Sequence, residues 1–366
     1  MLDTIIIEIP IEFRAIIDSG KFKPNARQLE VFKGYGKCTN NTKAEDRIKG
    51  VYKPKLTLIK RGEMVILKIE FSAPKVIFNN NLDEIEENDF NEMIVRIQNS
   101  VKEMGVLLQI HQIENAKVVG FHPSKNIILT NKYTSSFAIR ELSKINLSQK
   151  MDIEKVGFRN DGEAIQIYSN RHSVVFYDKI NDLSKPAKRA IDKDQTTNQR
   201  NLFEFIKKEK KNIEILRFEI RLSHSDKMKE VLTQVGFNQE PTLRNIFKKH
   251  LCQQIMKLYW EKLFADDIFL FNTYNKPQNV LEMILSKYPK TKIKTAIMLV
   301  GLNLLCKDED GFRGFRKIVG NYKKNNWHSL RGYLEKLSDS FFERPVHGFI
   351  DDIQKAIKDF DTFRIR

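Results

Sequence analysis

Arg171-His-Ser-Val-Val-Phe-Tyr-Asp-Lys-Ile-Asn-Asp-Leu183 and, further along, Leu216-Arg-Phe-Glu-Ile-Arg-Leu222 are the stretches on which the fold turns. In the second, β alternation faces Leu216, Phe218, Ile220 and Leu222 into a core and leaves Arg217, Glu219 and Arg221 together on the other side. In the first, residues 173–177 read as a strand, joined through Ser169-Asn-Arg-His172 to a partner strand over 164–168. Tyr177 and Lys179 then share a strand face. A tyrosine, a lysine and a carboxylate flanked by arginines come to one open surface.

Working outward, residues 4–9 predict an N-terminal strand stopped by Pro10, followed by a loop-rich region around Cys38-Thr-Asn-Asn-Thr42. Residues 55–60 and 65–71 predict a hairpin turned at Arg61-Gly-Glu63, with Leu67, Ile69 and Phe71 on one face and Lys68, Glu70 and Ser72 on the other. Phe90, Ile94, Ile97, Val101 and Met104 recur at helical spacing, with Gly105 at the exit. Another strand is expected over 117–122, and a charged, helix-prone insert over 185–211. Past residue 235 helical periodicity takes over: Phe247, Leu251, Ile255 and Leu258, then Ala296-Ile-Met-Leu-Val300, then a last amphipathic stretch over 349–360. Strands first and helices second predict an α+β protein, with an antiparallel-sheet domain over 1–235 and a mainly helical domain over 236–366. No internal repeat is visible.

Lys and Arg outnumber Asp and Glu by 63 to 47, a formal charge of +16, which favours a polyanionic partner, nucleic acid before membrane. There is no apolar run of about 18 residues, and Met1-Leu-Asp-Thr-Ile5 lacks a basic signal-peptide start. A cytoplasmic protein with no membrane partner is expected. Cys38, Cys252 and Cys306 are too dispersed for a metal knuckle and are expected to be reduced and structural. The seven histidines form no HxH and no HExxH, so a metal site must rest mostly on carboxylates. No GxxxxGK[ST] occurs, which argues against a P-loop ATPase.

The chain resembles the II/X family of phage and plasmid replication initiators. The resemblance runs through Met1-Leu-Asp-Thr-Ile-Ile-Ile-Glu-Ile-Pro10, Lys68-Ile-Glu-Phe-Ser-Ala-Pro-Lys-Val76, Arg171-His172 before Phe176-Tyr-Asp-Lys179, and Leu216-Arg-Phe-Glu-Ile-Arg221. It covers roughly residues 1–235. It implies a Rep-like (HUH-type) nicking fold, with Tyr177 at the position of the DNA-attacking nucleophile and Lys179 beside it. Where relatives tend to carry an Arg-hydrophobic-Asp stretch, this chain has Gly120-Phe-His-Pro123, so His122 would replace a carboxylate ligand.

The expected chemistry is rolling-circle initiation: a metal-dependent, origin-specific single-strand nick that leaves a 5′-phosphotyrosine and can be resealed without ATP. A free phenol with a pKa near 10 is a poor nucleophile, so a neighbouring cation or base must help it. Glu219, His122 and Glu70 are the expected ligands for Mg2+ or Mn2+, a histidine suiting manganese better than magnesium. Arg171, His172, Arg217 and Arg221 are expected phosphate contacts. In the C-terminal half Arg313, Arg316, Lys317, Lys323, Lys324 and Arg331, interleaved with Phe315, Tyr322 and Trp327, form the expected DNA-binding surface, with a helix-turn-helix as one form of it. The partners implied are origin DNA, duplex and single-stranded, and by resemblance a host helicase, single-strand-binding protein and polymerase. Two competitors use the same features: a non-catalytic basic DNA-binding regulator, and a transposase or relaxase with the same tyrosine chemistry.

Overall fold

The computed structural model describes residues 1–366 except 32–33, 131–132, 146–154, 160–161, 187–190, 192–195, 210–212, 274–275, 309, 323–326, 341–345 and 366. Among the described residues the strands are β1 (Leu2–Ile11), β2 (Tyr35–Asn40), β3 (Lys55–Arg61), β4 (Met64–Ser72), β5 (Lys117–Ile128), β6 (Lys155–Arg159), β7 (Ala164–Tyr168), β8 (Ser173–Asp178) and β9 (Ile215–Arg221). They form one antiparallel sheet in the order β2-β3-β4-β1-β5-β9-β8-β7-β6. The sequence expectation of α+β with strands first holds, and the chain past residue 235 is mostly helical.

The strand order repeats once. β2, β3 and β4 meander back to pair with β1, and β6 to β9 meander back to pair with β5, with β1 and β5 antiparallel at the centre. The repeat is one of plan only, since three strands return to β1 and four return to β5. The β3–β4 hairpin turns where expected, with Gly62 at φ 59°, a left-handed conformation that favours glycine. β1 runs on through Pro10 instead of stopping there. Pro10 lies beyond the last β5 pairing, at Glu8, where β1 has one neighbour instead of two and a missing N–H is tolerated.

Alternation splits the sheet into an apolar and a polar face. Phe176 of β8 stacks on Phe218 of β9 with ring centroids 4.5 Å apart, and Phe264 of the Lys249–Phe264 helix packs edge-on against Phe176 at 5.6 Å. The helices past residue 235 therefore share one hydrophobic core with the sheet. The C-terminal end is tied in as well. The buried Glu84 carboxylate accepts from Lys125 Nζ and from the backbone N–H of Asn126 and Phe363.

No helix among the described residues is long and apolar enough to cross a membrane. The three cysteines are unpaired and buried, and burial pushes their thiols up to about 11 for Cys38 and about 12 for Cys252 and Cys306.

Candidate functional site

The polar face of the central strands gathers the predicted residues by register. Tyr177 lies directly across from Arg217 and Val175 from Glu219, so Glu219 is the diagonal neighbour of Tyr177. On the other side of β9, Ser124 and Asn126 of β5 face Glu219 and Arg217. Gly120 allows β5 to approach closely here: a Cβ at this position would sit 3.0 Å from the Leu222 carbonyl oxygen.

Glu219 is the hub. The Tyr177 hydroxyl donates to its Oε2 at 3.5 Å, and Arg221 Nε donates to its Oε1 at 2.8 Å. His122 Nδ1 is 3.3 Å from the same Oε1 but outside hydrogen-bond geometry, and it has no other partner among the described residues. The other ring nitrogen of His122 shares a hydrogen bond with Ser223 Oγ at 3.3 Å. Burial works to raise the Glu219 pKa, but Arg221, His122 and Arg217 outweigh it and hold the carboxyl well below the usual range. Glu219 is therefore an anion at neutral pH. For Tyr177 burial dominates and pushes the phenol well above its ordinary value; Arg217 opposes this and Glu219 adds to it.

The expected open surface is closed over the nucleophile candidate. Tyr177 is 0% exposed and Lys179 0%, and Glu219 is 2% exposed. Lys179 is not on the strand. The chain leaves β8 at Asp178, whose side chain caps a short helix by accepting from the Asn181 N–H, and Lys179 is that helix's first residue. Its ammonium donates to Asn81 Oδ1 at 2.6 Å and lies 5.7 Å from the centroid of the Tyr177 ring. Tyrosine and lysine meet as expected, through a helix start instead of a shared strand face.

Beside Glu219 opens a cavity of about 510 Å3 whose walls include Asp3, Glu70, His122, Glu219 and Arg221. Ile191 belongs to that wall and to a small apolar cluster with Ala164, Val175 and Tyr177, while Tyr177 itself is not part of the wall. Of the expected metal ligands, His122 and Glu219 are neighbours. Glu70 lines the same cavity but stands 3.7 Å from Lys55 Nζ. A buried imidazole nitrogen without a partner next to an ionised carboxylate fits a divalent ion as two of its ligands. Among the described residues no group of three His, Cys, Asp or Glu side chains is close enough to hold an ion by itself.

Two expected DNA contacts are internal instead. Arg217, 1% exposed, pairs with Asp3 Oδ2 at 3.0 Å and donates to Ser124 Oγ, Asn126 Oδ1 and the Asn81 carbonyl. His172 is buried and shares a 2.7 Å hydrogen bond with Tyr259 of the Lys249–Phe264 helix, which covers this turn. Arg171 is exposed, and Arg221 borders the cavity.

In the C-terminal half, the Ile293–Lys307 and Gly311–Tyr322 helices are consecutive and packed together. Arg313 and Lys317 are exposed and Arg316 is half-buried. Arg313 lies over Phe158 of the edge strand β6, placing this helix at the far edge of the sheet from β1. Lys323 and Lys324 lie outside the described residues, as do the side chains of Trp327 and Arg331.

Sequence reasoning missed Asp3, Asn81, Glu84, Arg47, Tyr52 and Lys75. Only Asp3 carried a signal, a carboxylate set into an otherwise apolar strand start. No known protein family, curated protein or solved structure matches this chain.

Proposed function

We propose that this chain is a metal-dependent single-strand DNA endonuclease and rejoining enzyme that works through Tyr177, as the initiator of rolling-circle replication. The observation that supports it most is the Tyr177 hydroxyl held against an ionised Glu219 carboxylate, with Arg217 and Arg221 beside the pair. Glu219 Oε2 lies within reach of the phenolic proton, and Arg217 favours the phenolate against the burial and the Glu219 charge that oppose it. The tyrosyl oxygen attacks phosphorus, the bond to the 3′ oxygen breaks, and that oxygen takes the proton lifted from Tyr177 and leaves as a 3′-hydroxyl. The 5′ phosphate stays on Tyr177, and a later 3′-hydroxyl reverses the exchange.

Glu219 and His122 would hold Mg2+ or Mn2+, which when bound supplies positive charge to the phosphate oxygens. Attack requires the buried Tyr177 hydroxyl to become accessible to the strand. Arg313 and Lys317 would dock duplex DNA at the origin, and unwinding and synthesis would fall to a host helicase, single-strand-binding protein and polymerase. Such a protein would act in the cytoplasm.

The full burial of Tyr177 favours one other reading, a non-catalytic DNA-binding protein that keeps this fold. Chelation separates the two. Supercoiled DNA of the replicon that encodes the chain should become open circles with manganese and stay supercoiled with EDTA. DNA binding with no nicking under either condition would leave the non-catalytic reading in place.

A further inference from the structure

The cavity beside Glu219 has a second wall that the proposed chemistry does not use. It comes from the first half of the sheet and its connections: Arg47, Tyr52, Lys53, Lys55 and Lys75, facing Arg221 from the second half. Several of these cations are already engaged. Lys53 lies 3.4 Å from both Asp46 and Glu103, and Lys55 is paired with Glu70. Lys75 is buried, with its ammonium 5.8 Å from the centroid of the Tyr52 ring, and the Tyr52 hydroxyl accepts from the Ser72 N–H at 2.6 Å. Arg47 differs. Its Nε is buried and has no hydrogen-bond partner among the described residues. A guanidinium N–H without a protein acceptor at the cavity wall is a ready contact for an anionic oxygen.

We propose that this wall is the binding site for the single strand to be cut, with Arg47 taking a backbone phosphate adjacent to the one attacked and Lys75 and Arg221 bordering its path. The inference rests on the nicking reading for its choice of strand. A cavity of about 510 Å3 is of small-ligand size, so it admits a single-stranded nucleotide and excludes a double helix. An aromatic ring beside the cations, Tyr52, suits an unstacked base. Single-strand recognition then lies at the catalytic cavity over the central strands, and duplex recognition at the exposed Arg313 and Lys317 beside edge strand β6.

The test is fluorescence anisotropy with a short fluorescein-labelled single-stranded oligonucleotide from the encoding replicon, in EDTA so that no chemistry occurs. Arg47→Gln is expected to weaken binding about tenfold and to flatten the dependence of log K on log salt by about 0.7, with an unchanged melting temperature and unchanged duplex affinity. Lys317→Gln should weaken duplex binding and leave the single strand alone. Wild-type affinity and slope in Arg47→Gln would overturn the inference. The nicking reading fails separately: a wild type that forms no covalent adduct yet loses affinity on Arg47→Gln would sink the nickase and leave the strand-binding wall standing.

Discussion

Tyr177 and Glu219 sit on neighbouring antiparallel strands, two residues out of direct register and so on the same face, and the phenol donates to the carboxylate at 3.5 Å inside the protein. Burial holds the phenol protonated, and Arg221, His122 and Arg217 hold the carboxylate ionised, so in the resting site the proton stays on the tyrosine. The pair is thus a donor and acceptor whose pKa values their surroundings push far apart.

Glu219→Gln keeps the shape and removes the charge. The rate of strand cleavage should fall by about 10²-fold or more, while single-strand affinity in EDTA stays near wild type. Single-turnover cleavage measured beside anisotropy separates the two effects. Equal losses in both would mean that Glu219 builds the site and takes no part in the chemistry.

Arg217 and Asp3 form a buried ion pair supported by Ser72, Ser124 and Asn126. Arg217→Met strands the Asp3 charge and should cost about 3–5 kcal/mol in urea unfolding. The Asp3→Asn, Arg217→Met double variant should be less destabilised than the sum of the singles by more than about 0.5 kcal/mol. Additive losses would mean that the two side chains are not coupled.

Burial raises the Asp178 carboxyl to about 6, against the hydrogen bond from the Asn181 N–H, which works to lower it. The folded state therefore keeps a proton that the unfolded chain releases near its ordinary pKa of about 3.9. Stability is lost as pH rises from there through about 6. Asp178→Asn preserves the helix cap and removes this titration. Its melting temperature relative to wild type should climb between pH 4 and 7, and a flat difference would contradict the assignment.

Glu84 titrates in the opposite sense. Burial works to raise its pKa, and the N-terminal amine, Lys125 and the Phe363 N–H outweigh burial, so the folded value is depressed. The stability it contributes is present above the unfolded value of about 4.3 and is lost as pH falls through the folded one. Glu84→Gln should be clearly less stable than wild type at pH 7, and the gap should close on acidification. A gap independent of pH would show that the amide loses shape or hydrogen bonds and not charge.

Much of the sheet was legible because its strands obey a two-residue period. Leu216, Phe218 and Ile220 are buried as predicted, and the same alternation put Tyr177, Arg217 and Glu219 together. The Phe90–Glu103 helix and the β3–β4 turn were legible for the same kind of reason, a clean period ended by a glycine. β2 was not, since Tyr35-Gly-Lys-Cys-Thr-Asn40 is short, polar and at the sheet edge, with little apolar surface to impose a pattern. The place of Lys179 was misjudged because Asp178 and Asn181 form a helix cap that local alternation does not reveal. Arg217 and His172 read as surface residues because Asp3 and Tyr259, the partners that let them be buried, lie far away in sequence.

The most direct test of the central claim is incubation of wild type and Tyr177→Phe with end-labelled single-stranded DNA tiled across the encoding replicon, with manganese, on a denaturing gel before and after protease. A protease-sensitive adduct in wild type, absent from Tyr177→Phe, is the predicted result, with the adducted peptide mapping to Tyr177. An adduct of equal yield in both proteins, or none in either despite DNA binding, would contradict it.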